Sequence, residues 1–101
     1  MTVVDFIEVW WLSFRGLLES AGVDCRFERS SSDRLNPSCS LNLRRNAIEA
    51  DLLVWESGEA ELAMAEPDGS VNQQHFEDVR NTKDLGVILS RCVALAYQLP
   101  T

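Results

Sequence analysis

Glu49, Asp51, Glu59, Glu61 and His75 crowd into the stretch from Ala47 to Phe76 and are the first residues to test for chemistry. Carboxylates two apart on a strand share one face, about 7 Å from each other. Such pairs serve glycosidases and hold divalent cations. Acid–base work also needs burial to push two pKa values apart, and an open strand face keeps carboxylates hydrated. A solvated face is therefore the better reading of these acids. His75, the only histidine, lies in a polar run with Gln73 and Gln74. A nucleophile–base pair requires a Ser or Cys beside it in space, and its sequence neighbours name none. A buried pocket, still reachable by solvent and joining His75 to a carboxylate, would be the sign of an enzyme. The cysteines, Cys25, Cys39 and Cys92, are scattered, whereas zinc sites use close ligand pairs. Neither a dinucleotide fingerprint nor a phosphate loop is present, and Gly58 and Gly69 belong to turns. The chain is expected to have no catalytic residues, no cofactor and no metal.

Trp55 changes the question from reaction to recognition. A large aromatic among acids on an open sheet is unfavourable unless something covers it. Aromatic anchors ringed by charge are what protein interfaces use, the charge guiding approach and the ring supplying affinity. Glu49, Asp51, Trp55, Glu59 and Glu61 are therefore the candidate partner-binding residues. The competing reading places Trp55 in the core, through a bulge after Asp51 that inverts the face.

The elements that must position these residues follow from periodicity. Val3, Ile7, Trp10, Phe14, Leu17 and Ala21 step by three or four, so residues 3 to 21 read as a helix. Thr2 and Asp5 form an imperfect capping box, because Asp is shorter than Glu, and Gly22 suits the C′ position. Phe6, Trp11 and Leu18 widen the apolar stripe, which predicts deep burial rather than contact with a partner or second copy. From Val23 the period becomes two. Val23, Cys25 and Phe27 make one strand, and Cys39, Leu41 and Leu43 a second. The loop of residues 30 to 37 between them should be the most mobile segment. Arg44, Arg45 and Asn46 read as a solvated turn. The third strand, about Ala47 to Trp55, sends Ile48, Ala50, Leu52 and Val54 one way and Glu49, Asp51, Leu53 and Trp55 the other. After Ser57 and Gly58 comes a strand with Ala60, Leu62 and Met64 inward. A Pro67-Asp68-Gly69 turn leads to a polar edge strand, about Ser70 to Glu77. Asn81 opens a last helix with Leu85, Ile88, Leu89, Cys92, Leu95, Ala96 and Leu99 as its apolar stripe, and Pro100 ends it. The order α-β-β-β-β-β-α predicts one α+β domain over residues 1–101. It is a two-layer sandwich: a five-stranded antiparallel meander with both helices on one face.

Lys and Arg total 9 against 16 Asp and Glu, a net charge of -7. That surplus repels phosphate backbones and anionic lipid, so neither nucleic acid nor membrane is an expected partner. Each cysteine falls at an apolar position, so buried thiols are expected; Cys25 and Cys39 on adjacent strands would allow a disulfide, though nothing in the sequence indicates one. The N-terminus lacks a basic region and an apolar run long enough for a signal or a span, which makes the cytoplasm the default location.

Against this background, PSCSLNLRR, the strand ending in LVWESGEAEL, the Pro-Asp-Gly turn, QQHFEDV and a helix opening in NTKDL resemble the TriTu-type immunity proteins of bacterial polymorphic toxin systems. The resemblance covers about residues 20 to 99, with Trp55-Glu56-Ser57-Gly58-Glu59 and Cys39-Ser40-Leu41 at its centre. It implies a cytoplasmic antitoxin, without catalysis of its own, that binds and blocks a cognate toxin. The toxin it implies is an ADP-ribosyltransferase acting on elongation factor Tu. An immunity protein is expected to be a monomer rather than a homodimer. The alternative is a small acidic secretion chaperone, a dimer joined through the stripe carrying Trp10 and Trp11.

Overall fold

A computed structural model describes residues 1–31, 33–80 and 82–97. The cap expected at Asn81, the stop at Pro100 and Leu99 lie outside the described residues, as do the side chains of Leu95 and Ala96. The elements are α1 (Val3–Ser20), β1 (Asp24–Arg29), β2 (Ser38–Arg45), β3 (Ile48–Trp55), β4 (Ala60–Ala65), β5 (Val71–Phe76) and α2 (Thr82–Tyr97). The strands pair in chain order, each antiparallel to the next. Both helices cover one face of this meander, as the alternation of apolar residues requires.

The core is the inward row of every strand beneath the helices. Leu41, Leu52 and Leu62 lie side by side across β2, β3 and β4 and are at most 1% exposed. Burying each such side chain contributes roughly 2 kcal/mol or more. Val4 and Ile7 from α1 and Leu85, Ile88, Leu89 and Cys92 from α2 close over them. On β5 the inward Gln74 is polar, and Arg91 of α2 donates to its side-chain oxygen at 2.5 Å.

Caps and loops differ from expectation in instructive ways. The Thr2–Asp5 capping box is complete: each side chain accepts from the other's backbone N–H at 3.1 Å. Asp is thus long enough here, and the bonds from Thr2 together with Arg29 hold its carboxyl below the ordinary range. Gly22 has φ of 85° and ends α1 as expected, with Gly22 and Val23 N–H groups bonding Glu19 and Leu18 carbonyls. The loop of residues 30 to 37 is tied at both ends. Ser30 and Ser38 exchange hydrogen bonds, and Asn36 exchanges two with Ser57 in the β3–β4 turn. The expected turn at Arg44–Asn46 is shorter: β2 runs through Arg45, which pairs with Ile48, and Asn46 takes φ of 56°.

The larger correction concerns α1. Only Val3, Val4, Ile7 and Leu18 are buried in it, while Val9, Leu12, Phe14 and Leu17 stand exposed. A helix lying flat on a sheet buries one narrow stripe, so the rest of its broad apolar surface remains outside. Trp11 fixes the helix instead, stacking on Phe27 at 5.3 Å and donating Nε1–H to the Cys25 carbonyl at 3.2 Å.

Gly58 is the tightest backbone position. Its φ is 103°, its carbonyl accepts from Val79 N–H at 2.8 Å, and an added Cβ would meet Arg80 and Asp78 side-chain atoms at 3.0 Å. Gly69 also has positive φ, 89°, but faces open space. Gly58→Ala is expected to cost about 1–3 kcal/mol in urea unfolding, more than Gly69→Ala. Equal costs would show that the Asp78–Arg80 contact yields freely.

Candidate protein-binding face

The register puts Glu49, Asp51, Leu53 and Trp55 of β3 on the face opposite the helices. Trp55 pairs with Ser38, Leu53 with Ser40 and Glu61, and Asp51 with Asn42 and Ala63. No bulge interrupts β3, since its pairing with β2 is continuous from Ile48 to Trp55. Trp55 is therefore on the open face, half-buried and outside the core cluster. Its N–H bonds the Glu59 carbonyl at 2.9 Å, which brings Glu59 to the same end of the sheet.

Side chains two rows apart on neighbouring strands lie within reach of one bridging group. Asp51 opposes Ala63, and Glu61, two residues before Ala63, opposes Leu53; the two acids thus flank a small residue diagonally. The result is a hollow of about 340 Å3, lined by Asp51, Leu53, Glu61, Ala63, Gln73 and His75 among others. Asn42 donates to Asp51 at 3.2 Å, which orients that carboxylate. Glu49 sits differently: Arg44 is directly opposite it in register. Asp51, Glu59 and Glu61 therefore have no register partner of opposite charge among the arginines, whereas on the β1–β2 half Arg26 pairs with Asp24 at 3.0 Å and Arg44 stands opposite Asp24 as well as Glu49. Alternation with Leu43 puts Arg44 in the outward row of β2, and its place opposite Glu49 came only with the register.

His75 does reach a carboxylate. Its Nδ1 lies 3.7 Å from Glu61 Oε1, directly across the β4–β5 pair. Both side chains are more than half exposed, 52% and 60%, so this is an open surface pair rather than a buried site. The residues lining the hollow include neither Ser nor Cys as a nucleophile. Among the described residues no three His, Cys, Asp or Glu side chains group as metal ligands.

Two apolar residues stand near these acids. Leu53 lines the hollow beside the acids. Leu35 is fully exposed in the loop that Asn36 ties to the β3–β4 turn, at the Trp55 end of the sheet. A leucine within a Ser-, Asn- and Pro-rich loop was the signal available for it.

The thiols are sealed in the core. Cys25 opposes Leu43 and Cys39 opposes Arg29, four residues along the same strand, so the two cysteines are about 13 Å apart in register and cannot bond. Burial pushes Cys25 up to about 11 and Cys39 and Cys92 up to about 12. At pH 8 a thiol with a pKa of about 11 is thiolate in about one molecule per thousand. The native protein should resist an aromatic disulfide reagent, and all three cysteines should react once unfolded. Because the folded pKa values are raised, stability should fall as pH rises from the ordinary thiol value of 9.0 toward 11–12. Rapid labelling of the native chain would contradict this burial.

The structure is a two-layer α+β scaffold with an open, charged sheet face that carries a half-buried aromatic. The family model described as Immunity protein TriTu matches residues 5–94, which takes in most of α1, the whole sheet and most of α2. The chain belongs to the TriTu immunity protein family. No curated protein and no solved structure matches it. Among the described residues no helix is long and apolar enough to cross a membrane.

Proposed function

We propose that this chain binds a cognate toxin domain through the open sheet face and blocks it by covering its active site, with no catalysis of its own. The observation that carries this reading is the hollow between Asp51 and Glu61 beside half-buried Trp55. Its carboxylates can receive a basic side chain of the toxin, while Leu53 and Ala63 accept that side chain's aliphatic stem. Glu59 and Trp55 extend the contact toward Leu35, and Glu49 contributes at the margin beside Arg44. One sheet face of this size can supply the roughly 800 Å2 that a standard interface buries per partner.

The toxin is, on this reading, an ADP-ribosyltransferase acting on elongation factor Tu. An enzyme that uses a dinucleotide must present cationic groups to its phosphates, and a carboxylate-rich face offers those groups an alternative counterion. The inhibitor acts in the compartment where the toxin would act, the cytoplasm.

Co-expression with the cognate toxin tests this directly. The native chain should restore growth, and death of the cells regardless would end the antitoxin reading. Asp51→Lys combined with Glu61→Lys should weaken toxin binding about tenfold to a hundredfold, more at low salt than at high salt. Trp55→Ala should cost about 2 kcal/mol of binding, while circular dichroism shows the fold retained. Full protection by both variants would move the contact to another face and leave the antitoxin role standing.

A further inference from the structure

The helical layer carries a second surface that toxin binding by the sheet does not use. Between α1 and α2 runs an apolar groove of about 420 Å3. Its α1 wall is bulky, with Trp10, Phe14 and Leu17, and its α2 wall is small, with Gly86, Ser90 and Ala94. Leu17 is 67% exposed on the α1 side of the groove, and Ser90 is exposed on the α2 side. At 100° per residue, Asp5, Glu8, Arg15 and Glu19 fall together on one side of α1. That side turns toward β1, where Asp5 and Glu8 pair with Arg29 and Arg15 covers the Trp11 ring. The remaining surface of α1, from Gly16 round to Phe14, carries no charge. On α2, Lys83 stands at the first turn of the facing side, and Ser90 and Ala94 continue it without charge.

We propose that this face joins two copies of the chain about a twofold axis, with the Phe14–Leu17 ridge of each copy entering the groove of the other. Charge selects this occupant. Each copy carries a net charge of -7, so two copies repel wherever their acids meet and can close only on a surface free of them. A basic partner is drawn instead to the acids of the sheet. A twofold contact also needs both halves of the fit on one patch, and here ridge and groove lie side by side. The molecule extends 38 × 26 × 23 Å, and α1 alone spans about 27 Å, so the helical face can supply the roughly 800 Å2 per partner that a stable dimer requires. Deep burial of α1 was expected, and the structure instead leaves Val9, Leu12, Phe14 and Leu17 exposed. The sheet face stays free in the dimer, so each copy still offers it to a partner, and the pairing holds for an antitoxin and for a chaperone alike.

Sedimentation equilibrium of the full chain over a concentration series tests the pairing. The expected mass is that of two 11.4 kDa chains at micromolar concentration. Leu17→Glu and, separately, Ser90→Glu should each weaken pairing at least tenfold and give the single-chain mass, with unchanged circular dichroism. Both positions are exposed in the monomer, so the second variant serves if the first fails to fold. Glu61→Lys, on the opposite face, should keep the dimer. A single-chain mass for the native protein at 100 µM overturns the proposal, as does a dimer that both groove variants leave intact. A monomer whose toxin binding is lost in Leu17→Glu also overturns it and assigns the groove to the toxin. Loss of growth rescue by Asp51→Lys with the dimer intact concerns the sheet face alone, so the two readings fail separately.

Discussion

The cross-strand row of Leu41, Leu52 and Leu62 governs the whole molecule. These side chains must be dry, and the helices can dry only one face of the sheet. Side chains alternate strictly along a strand, so this single requirement sets the orientation of every other residue in β2, β3 and β4. A slip of one residue in β3 would expose Leu52 and bury Asp51 and Trp55. Burying a lone carboxylate costs several kcal/mol, so the register has no competitor.

The open charged face is a consequence of that constraint. Asp51, Glu61 and Trp55 point outward because leucines between them point inward. The small residue Ala63 opposite Asp51 then leaves the hollow that a partner's side chain can enter. The same economy of layers shapes the other side. A sheet of this size needs only a narrow stripe from each helix, so α1 keeps aromatic and leucine side chains outside the core. The molecule thus has two unlike surfaces: one acidic with an aromatic anchor, the other apolar and without charge along most of its length.

Much of this was legible in the residues. Period-two alternation from Val23 to Met64 placed the strands, and the Pro67-Asp68-Gly69 turn separated β4 from β5. The outward direction of Glu49, Asp51, Glu59 and Glu61 followed from the same alternation. Trp55 stayed ambiguous, because a bulge would have reversed it and bulges leave no fixed mark in composition. Arg45 was read as turn because charged residues beside an Asn look like one, and only its pairing with Ile48 shows it to be strand. The capping box shows the opposite error, a local rule applied too strictly to Asp5.

By itself the sequence determined the element order, the acidic balance, the inward and outward rows and the kinship to an immunity protein family. Those properties are local or periodic, and periodicity survives without knowledge of neighbours. Tertiary structure decided which residues meet across strands, that Glu61 and Asp51 border one hollow, that Glu49 faces a cation and that Cys25 and Cys39 stand too far apart to bond. It also decided how little of α1 is covered. A stripe's width records how much a helix could bury, whereas the area it does bury is set by the flatness of the sheet beneath it and the position of the second helix.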